Sequence, residues 1–369
     1  MGHLDMRIGY SFWGFLGDHK IKDGKEVSTP DGNASYSWSI MYEMLRRGYT
    51  IYQMQQDRDV EGDKKFGKKN YASFSQKKRM FVRDHEKRIS ANCSLPELDL
   101  LLVEWRFPIS GRNCSVSQFD PLYQPDLDRQ TEILRYYVGS KTRVILWDLD
   151  HKLDRANELV WPVNAIIETS LKPIQNSIKR TTVYPPFVID DLLQFPTLNS
   201  NETRKLVYVG SRYERDEMID KWIAPISNIH PRDIEFYGNW TKEPCLSECK
   251  SKWPNIRYYD RITMRDFRDA YGTAAACPLL AKQSYLESGF ITPRVWEAIL
   301  FGTIPIGFKS HFGVEGYTLH VAEDVKDFES IIDELAYISY EEKTVLLEEL
   351  ADRVSFMDVK FFVDTLETV

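Results

Sequence analysis

Two hydrophobic periods alternate along the chain. The run MRIGYSF (residues 6–12) is a short apolar stretch that predicts a first strand. YSWSIMYEMLRRGY (36–49) repeats its apolar positions at helical spacing and ends at Gly48, a helix-stop residue, before the strand-like TIYQM (50–54). The alternation continues through a buried strand in LDLLLVEWRF (98–107), a helix in DLDRQTEILRYYVGS (126–140) and a strand in TRVILWDLD (142–150). VNAIIETS (163–170) and RTTVYPPFV (180–188) add short strands. Strands alternating with helices predict parallel βαβ units, with helices on both faces of the sheet. The polar, Gly-rich stretch after the first strand, GFLGDHKIKDGKEVSTPDGNAS, reads as a loop.

YPPFVIDDLLQFPTLNSNETRK (184–205) breaks the pattern with prolines and polar residues and reads as a linker. A second α/β set follows it. KLVYVGS, DIEFYGN, NIRYYDR, AAACPLLA and TIPIGF are its strands, and RDEMIDKWIAPIS and MRDFRDAYGTA are helices. Helical patterns in residues 341–368 end the chain. The expected division is residues 6–190 and 205–354, with a last helix near 355–369 packing back on the first domain. Two such domains place a ligand cleft between the carboxyl ends of their sheets.

At 369 residues the chain is long enough for two cores, and 43% hydrophobic with 28% charged residues is a globular composition. No run is long and apolar enough for a membrane span, and the N-terminus lacks a basic start before a long apolar block. Five cysteines, an odd number, fit free thiols in a reducing cytosol, and the chain is expected to be a cytoplasmic protein; a monomer is expected separately. Cys245 and Cys249 form a CxxxC without a second pair, a weak zinc signal. The net charge of −7 does not advertise nucleic-acid binding. Residues 64–88 dissent, with dense Lys and Arg between Tyr71, Phe74 and Phe81. They read either as a solvated loop and helix face or as a patch that tracks phosphates.

Candidate chemistry concentrates in FITPRVWEAILFGTIPIGFKS (290–310). Thr292 is the expected cap and Pro293 the first helical residue. The helix then presents Arg294 and Glu297 on one face, beside N–H groups that attract an anion. Arg294 suits a diphosphate and Glu297 a pair of ribose hydroxyls, or the two form a surface ion pair. YVGSRYERDE (208–217) ends a strand at Gly210 and Ser211 and presents Arg212 and Arg215, a second phosphate signal. IEFYGN ends a strand at Gly238.

These stretches together resemble the GT-B glycosyltransferases, and most nearly the bacteriophage DNA glucosyltransferases of α and β types. FITPRVWE is similar to the β type's Phe-Ile-Thr-Leu-Arg-Val-Trp-Glu, and FGTIPIGFKS to the α type's Cys-Gly-Thr-Ile-Pro-Val-Phe-Trp-Lys-Ser. EFYGN and VGSRYER have counterparts in the same order. The resemblance covers roughly residues 205–312 and thins before 140. It implies an α/β GT-B fold with two Rossmann-like doubly wound domains facing a central cleft. It further implies transfer from a UDP-hexose to a hydroxymethylated pyrimidine in double-stranded phage DNA. Arg212, Arg215 and Arg294 would hold the diphosphate, Glu297 the ribose, and the backbone near Ile262 the base. No cofactor is obligatory in this reading, and Mg or Mn would act only as a stimulant.

The carboxylate for proton removal lies in VILWDLDH. The β type aligns its base with Asp148; the α type aligns its Asp with Asp150, followed by His151. A different reading takes DLD as a DxD metal motif, with both aspartates on a divalent ion. GFLGD lacks GxGxxG, which argues against a dinucleotide oxidoreductase. Gly14, Phe15 and Gly17 in that loop, and Glu104 and Arg106 after another strand, are expected at the acceptor side. An acceptor other than DNA, or sugar-nucleotide binding without transfer, remain the competing readings.

Overall fold

The computed structural model describes residues 6–11, 19–22, 25–28, 32–56, 69–75, 80–88, 95–105, 124–149, 162–169, 171, 180–182, 205–231, 233–262 and 264–369. The first sheet contains β1 (Arg7–Ser11), β4 (Thr50–Gln56), β5 (Lys69–Ser75), β6 (Met80–Arg88), β7 (Leu100–Glu104), β8 (Arg143–Asp148), β9 (Ala165–Glu168) and β10 (Arg180–Thr182). A separate small hairpin pairs β2 (His19–Lys22) with β3 (Lys25–Ser28), within the stretch expected to be a loop. The eight strands lie in the order β10-β9-β8-β7-β1-β4-β5-β6. All pairings from β10 to β4 are parallel, and β5 and β6 are antiparallel additions at one edge.

That edge corrects the loop-and-helix reading of residues 64–88. The stretch carries seven-residue and nine-residue strands. Its lysines and arginines obscured the alternation, yet such residues are common on edge strands, where they discourage pairing with another chain.

The second sheet is wholly parallel, in the order β13-β12-β11-β14-β15-β16. Its strands are β11 (Leu206–Val209), β12 (Ile234–Tyr237), β13 (Arg257–Tyr259), β14 (Ala276–Pro278), β15 (Ile304–Phe308) and β16 (His320–Ala322). Strand order reverses between β11 and β14 here, and between β1 and β7 in the first sheet. In open α/β sheets such switch points leave a crevice at the carboxyl ends of the strands. The proposed linker falls almost entirely outside the described residues.

Helix α1 (Gly32–Arg46) covers the first sheet on one face, and α2 (Gln124–Tyr137) covers the other. Both stop as expected at left-handed glycines, Gly48 and Gly139, where L side chains are strained. Around the second sheet lie α3 (Cys245–Lys252), α4 (Met264–Gly272), α5 (Gln283–Ser288), α6 (Arg294–Leu300), α7 (Val325–Tyr337) and α8 (Tyr340–Arg353). The last helix, α9 (Val359–Thr368), returns to the first sheet. Phe362 packs on Trp147 with ring centroids 4.8 Å apart. Arg47 pairs with Asp364 and Glu367, and Arg143 donates to the Leu366 and Glu367 carbonyls. One apolar cluster consequently joins Trp147 and Ile167 to Phe362, and these to Trp222, Phe236 and Trp296 of the second half.

Candidate functional site

Strand β11 runs out at Val209, and Gly210 follows at its carboxyl end. A side chain there has no room: a Cβ on Gly210 would lie 2.4 Å from Arg294 Nη2 and 2.6 Å from the Tyr208 hydroxyl. Gly238, at the end of neighbouring β12, has φ +151°, and a Cβ there would lie 2.2 Å from the Gly210 carbonyl oxygen. That oxygen accepts from Trp240 Nε1 at 2.7 Å. The two glycines let two strand ends and one arginine meet.

Arg294 opens α6. Its Nε donates to the Val209 carbonyl at 2.7 Å, and its guanidinium lies over the Tyr208 ring, 5.2 Å from the centroid. Arg215 is buried, and its Nη1 donates to the Tyr213 carbonyl at 2.6 Å. Burial and the neighbouring charge of Arg294 hold the Arg215 pKa below the usual arginine value. Arginine nevertheless stays protonated. Among the described residues neither guanidinium forms an ion pair with a carboxylate; both bond to backbone carbonyls instead. The two like charges act on one another, and the Glu297 carboxylate acts on Arg294 from the same helix. The buried Tyr208 hydroxyl, which has no hydrogen-bond partner among the described residues, lies at the same place.

Beside this cationic pair, Glu297 is buried on α6 one turn beyond Arg294. Tyr237 and Tyr259, in register on β12 and β13, stack with centroids 4.7 Å apart. Ile262 packs half-buried against the small cluster that also holds Tyr271, Cys277 and Ala298. Arg294 and Glu297 share one helix, and Tyr237 and Ile262 pack on the cluster that holds Ala298 of that helix.

The first sheet offers carboxylates at its own carboxyl edge. β7 ends in Glu104, β8 in Asp148 and β9 in Glu168, all essentially inaccessible to solvent. Asp148 and Glu168 are paired in register, so their side chains leave the sheet on the same face. Glu104 is in register with Trp147 and leaves on the other. Trp147 is fixed by its Nε1 bond to Thr169 Oγ1 at 2.7 Å.

At the level of sequence, no protein-family model and no curated protein matches the chain. Solved structures do. T4 phage β-glucosyltransferase in complex with UDP-glucose superposes with a TM-score of 0.59 at 14% identity, covering 99% of this chain and 100% of that one. The same T4 phage enzyme with UDP and Mn2+ gives 0.57, also at 14% identity and with the same coverage. An O-GlcNAc transferase mutant from Thermobaculum terrenum gives 0.51 at 11% identity, over 99% of this chain and 66% of that one. The fold is GT-B.

Within the GT-B frame the structure brings together Gly210, Arg215, Gly238 and Arg294, with Glu297 and Ile262 alongside. Arg212 is engaged elsewhere: its guanidinium pairs with Asp216 and Glu248 and lies over the Trp253 ring. Ser211 is half-buried at the turn. The helix of Arg294 starts one residue later than expected, with Pro293 in the cap position and no side-chain cap from Thr292. Gly14, Phe15, Gly17, Arg106, Asp150 and His151 lie outside the described residues. Cys245 and Cys249 sit one turn apart on α3, Sγ to Sγ 3.7 Å, and burial pushes the Cys249 thiol up to about 12. Among the described residues no group of three His, Cys, Asp or Glu side chains is arranged for a metal.

Three residues escaped the sequence reading. Tyr208 and Glu168 looked like ordinary strand positions, and only the strand ends reveal them. Lys282 is buried, with its ammonium 4.3 Å from the Tyr285 ring centroid and 3.9 Å from Glu214. No local signal in AKQSYLES marks it.

Proposed function

We propose that the chain is a glycosyltransferase that moves a hexose from a UDP-sugar to a hydroxyl acceptor. The observation that carries this reading is the mutually repelling pair Arg215 and Arg294, the latter packed on Gly210, whose guanidiniums bond to backbone carbonyls and close no ion pair among the described residues. The donor's diphosphate supplies the missing anion. As the bond from the anomeric carbon to the phosphate oxygen breaks, negative charge grows on the leaving diphosphate, and fixed cations stabilise it. Arg212 would have to leave its ion pairs with Asp216 and Glu248 to reach the diphosphate, and Ser211 and Gly210 offer the backbone turn. Glu297 accepts from the ribose hydroxyls, and the shelf of Ile262 receives the base. The T4 phage enzyme has been solved with UDP-glucose and with UDP and Mn2+, which supports a UDP-sugar donor with Mg or Mn as a stimulant.

Asp148 is the base in this reading. It takes the acceptor's hydroxyl proton as that oxygen attacks the anomeric carbon, and the leaving UDP takes the bonding pair. Asp150 is the competing candidate for the same role. The acceptor we favour is a hydroxymethylated pyrimidine in duplex DNA. Two features support it: the basic hairpin at the edge of the first sheet, and the fold likeness to a DNA-modifying β-glucosyltransferase. The base would be flipped out to reach a buried carboxylate. A glycan or small-molecule acceptor is the second reading, favoured by the net charge of −7.

The test is UDP release from UDP-glucose with duplexes containing hydroxymethylcytosine, and with glycans. Turnover on the duplex, reduced by at least two orders of magnitude in Asp148→Asn with UDP binding retained, is the expected result. Turnover on glycan alone would remove the DNA reading, and full activity of Asp148→Asn would remove that base. UDP binding without turnover on any acceptor would leave a binding protein.

A further inference from the structure

Three residues beyond Glu168, the first half of the chain touches the second. The Leu171 amide donates to the Gly289 carbonyl at 3.3 Å. Its side chain occupies a space that two glycines leave open. A Cβ on Gly289 would lie 2.8 Å from Leu171 Cβ, and a Cβ on Gly313 would lie 2.3 Å from Leu171 Cδ1. Both glycines are left-handed, with φ +68° and +71°. Gly289 ends α5 and stands five residues before Arg294. Gly313 lies two residues after His311, which holds the same loop: its Nε2 donates to the Phe290 carbonyl at 3.1 Å, leaving Nδ1 to accept from Tyr317.

We propose that Leu171 is the positioning residue that sets the spacing between the two halves of the cleft, a knob from the carboxylate edge seated in a two-glycine socket beside the Arg294 loop. The inference rests on the donor and acceptor sides assigned above. A misplacement of about 1 Å between reacting groups costs roughly a hundredfold in rate, and this contact joins a residue shortly after β9 to the turn that leads into the helix of Arg294. Removing the knob loosens that distance without touching either half-site, so donor affinity and turnover separate.

The test uses the full chain. Leu171→Ala is expected to leave the UDP dissociation constant within about twofold by calorimetry and the donor KM little changed. It should lower kcat at least tenfold, and Leu171→Met should restore most of it. Hydrogen exchange at the Leu171 amide should quicken by at least tenfold, and the radius of gyration from X-ray scattering should rise. Gly313→Ala tests the socket from the other side. Its clash with Leu171 should make it more damaging in the native background than in the L171A background, a coupling in which backbone strain cancels. Unchanged kcat, exchange and scattering in Leu171→Ala, or strict additivity with Gly313→Ala, would overturn the proposal. Should Leu171→Ala fail to fold, Leu171→Val and Gly313→Ala give the same comparisons. If the chain transfers no sugar, exchange, scattering and the stability cycle still decide the contact, and only the assigned function falls.

Discussion

Gly210 shows how one residue's lack of a side chain organises a site. Its place is taken by Arg294 and Tyr208, so Gly210→Ala must displace a guanidinium or a buried ring. Overpacking of this kind costs about 1–3 kcal/mol. The expected outcome is a lower unfolding midpoint together with at least tenfold weaker UDP binding, measured by denaturation and calorimetry. His311 carries a pH signature. Burial pushes its pKa down to about 4, so the folded protein keeps it neutral while the unfolded chain protonates near 6.5. Between those values the unfolded state binds the extra proton, so this contribution is complete above pH 6.5 and is lost as pH falls through about 4. It amounts to at most roughly 3 kcal/mol. Denaturation curves from pH 7 to 4 should fall less steeply in His311→Gln. At this scale Arg294 and Glu297 were legible, because a helix start after a Thr-Pro pair has a local signature. Glu168 and Lys282 were not, because their significance comes from strands and helices far away in sequence.

Elements were more legible than the contacts between them. The strands of the second sheet follow the apolar runs of the sequence, and left-handed glycines stop the helices where the sequence places them. The β5–β6 hairpin was missed because charge overlies its period-two pattern. If it tracks phosphates, replacing Lys69 and Arg83 with Gln should weaken duplex binding across sequences. The salt dependence of log K should flatten by about 1 for each phosphate no longer neutralised, read from titrations at several salt concentrations. Helix α9 illustrates how a distant element supports the site. Phe362 is nearly fully buried against Trp147, the residue before Asp148. Phe362→Ala should cost about 3–5 kcal/mol in chemical denaturation. Because the emptied space abuts β8, transfer should fall more than UDP binding does.

For the whole molecule, the alternation of strands and helices indicated two α/β units, and the resemblance over residues 205–312 indicated GT-B. Hydrophobic periodicity marks the last ten-residue helix as amphipathic but does not by itself say which sheet it covers. Its return joins residues more than 200 positions apart, as in the Arg143 bond to Leu366. It also sets an order of events during synthesis. Domains generally fold as they emerge from the ribosome, the amino-terminal one first. Here the first sheet leaves the ribosome with α1 on its Trp147 face but without the Phe362 contact, which waits for α9. The half of the protein that is translated first is therefore the half that is completed last.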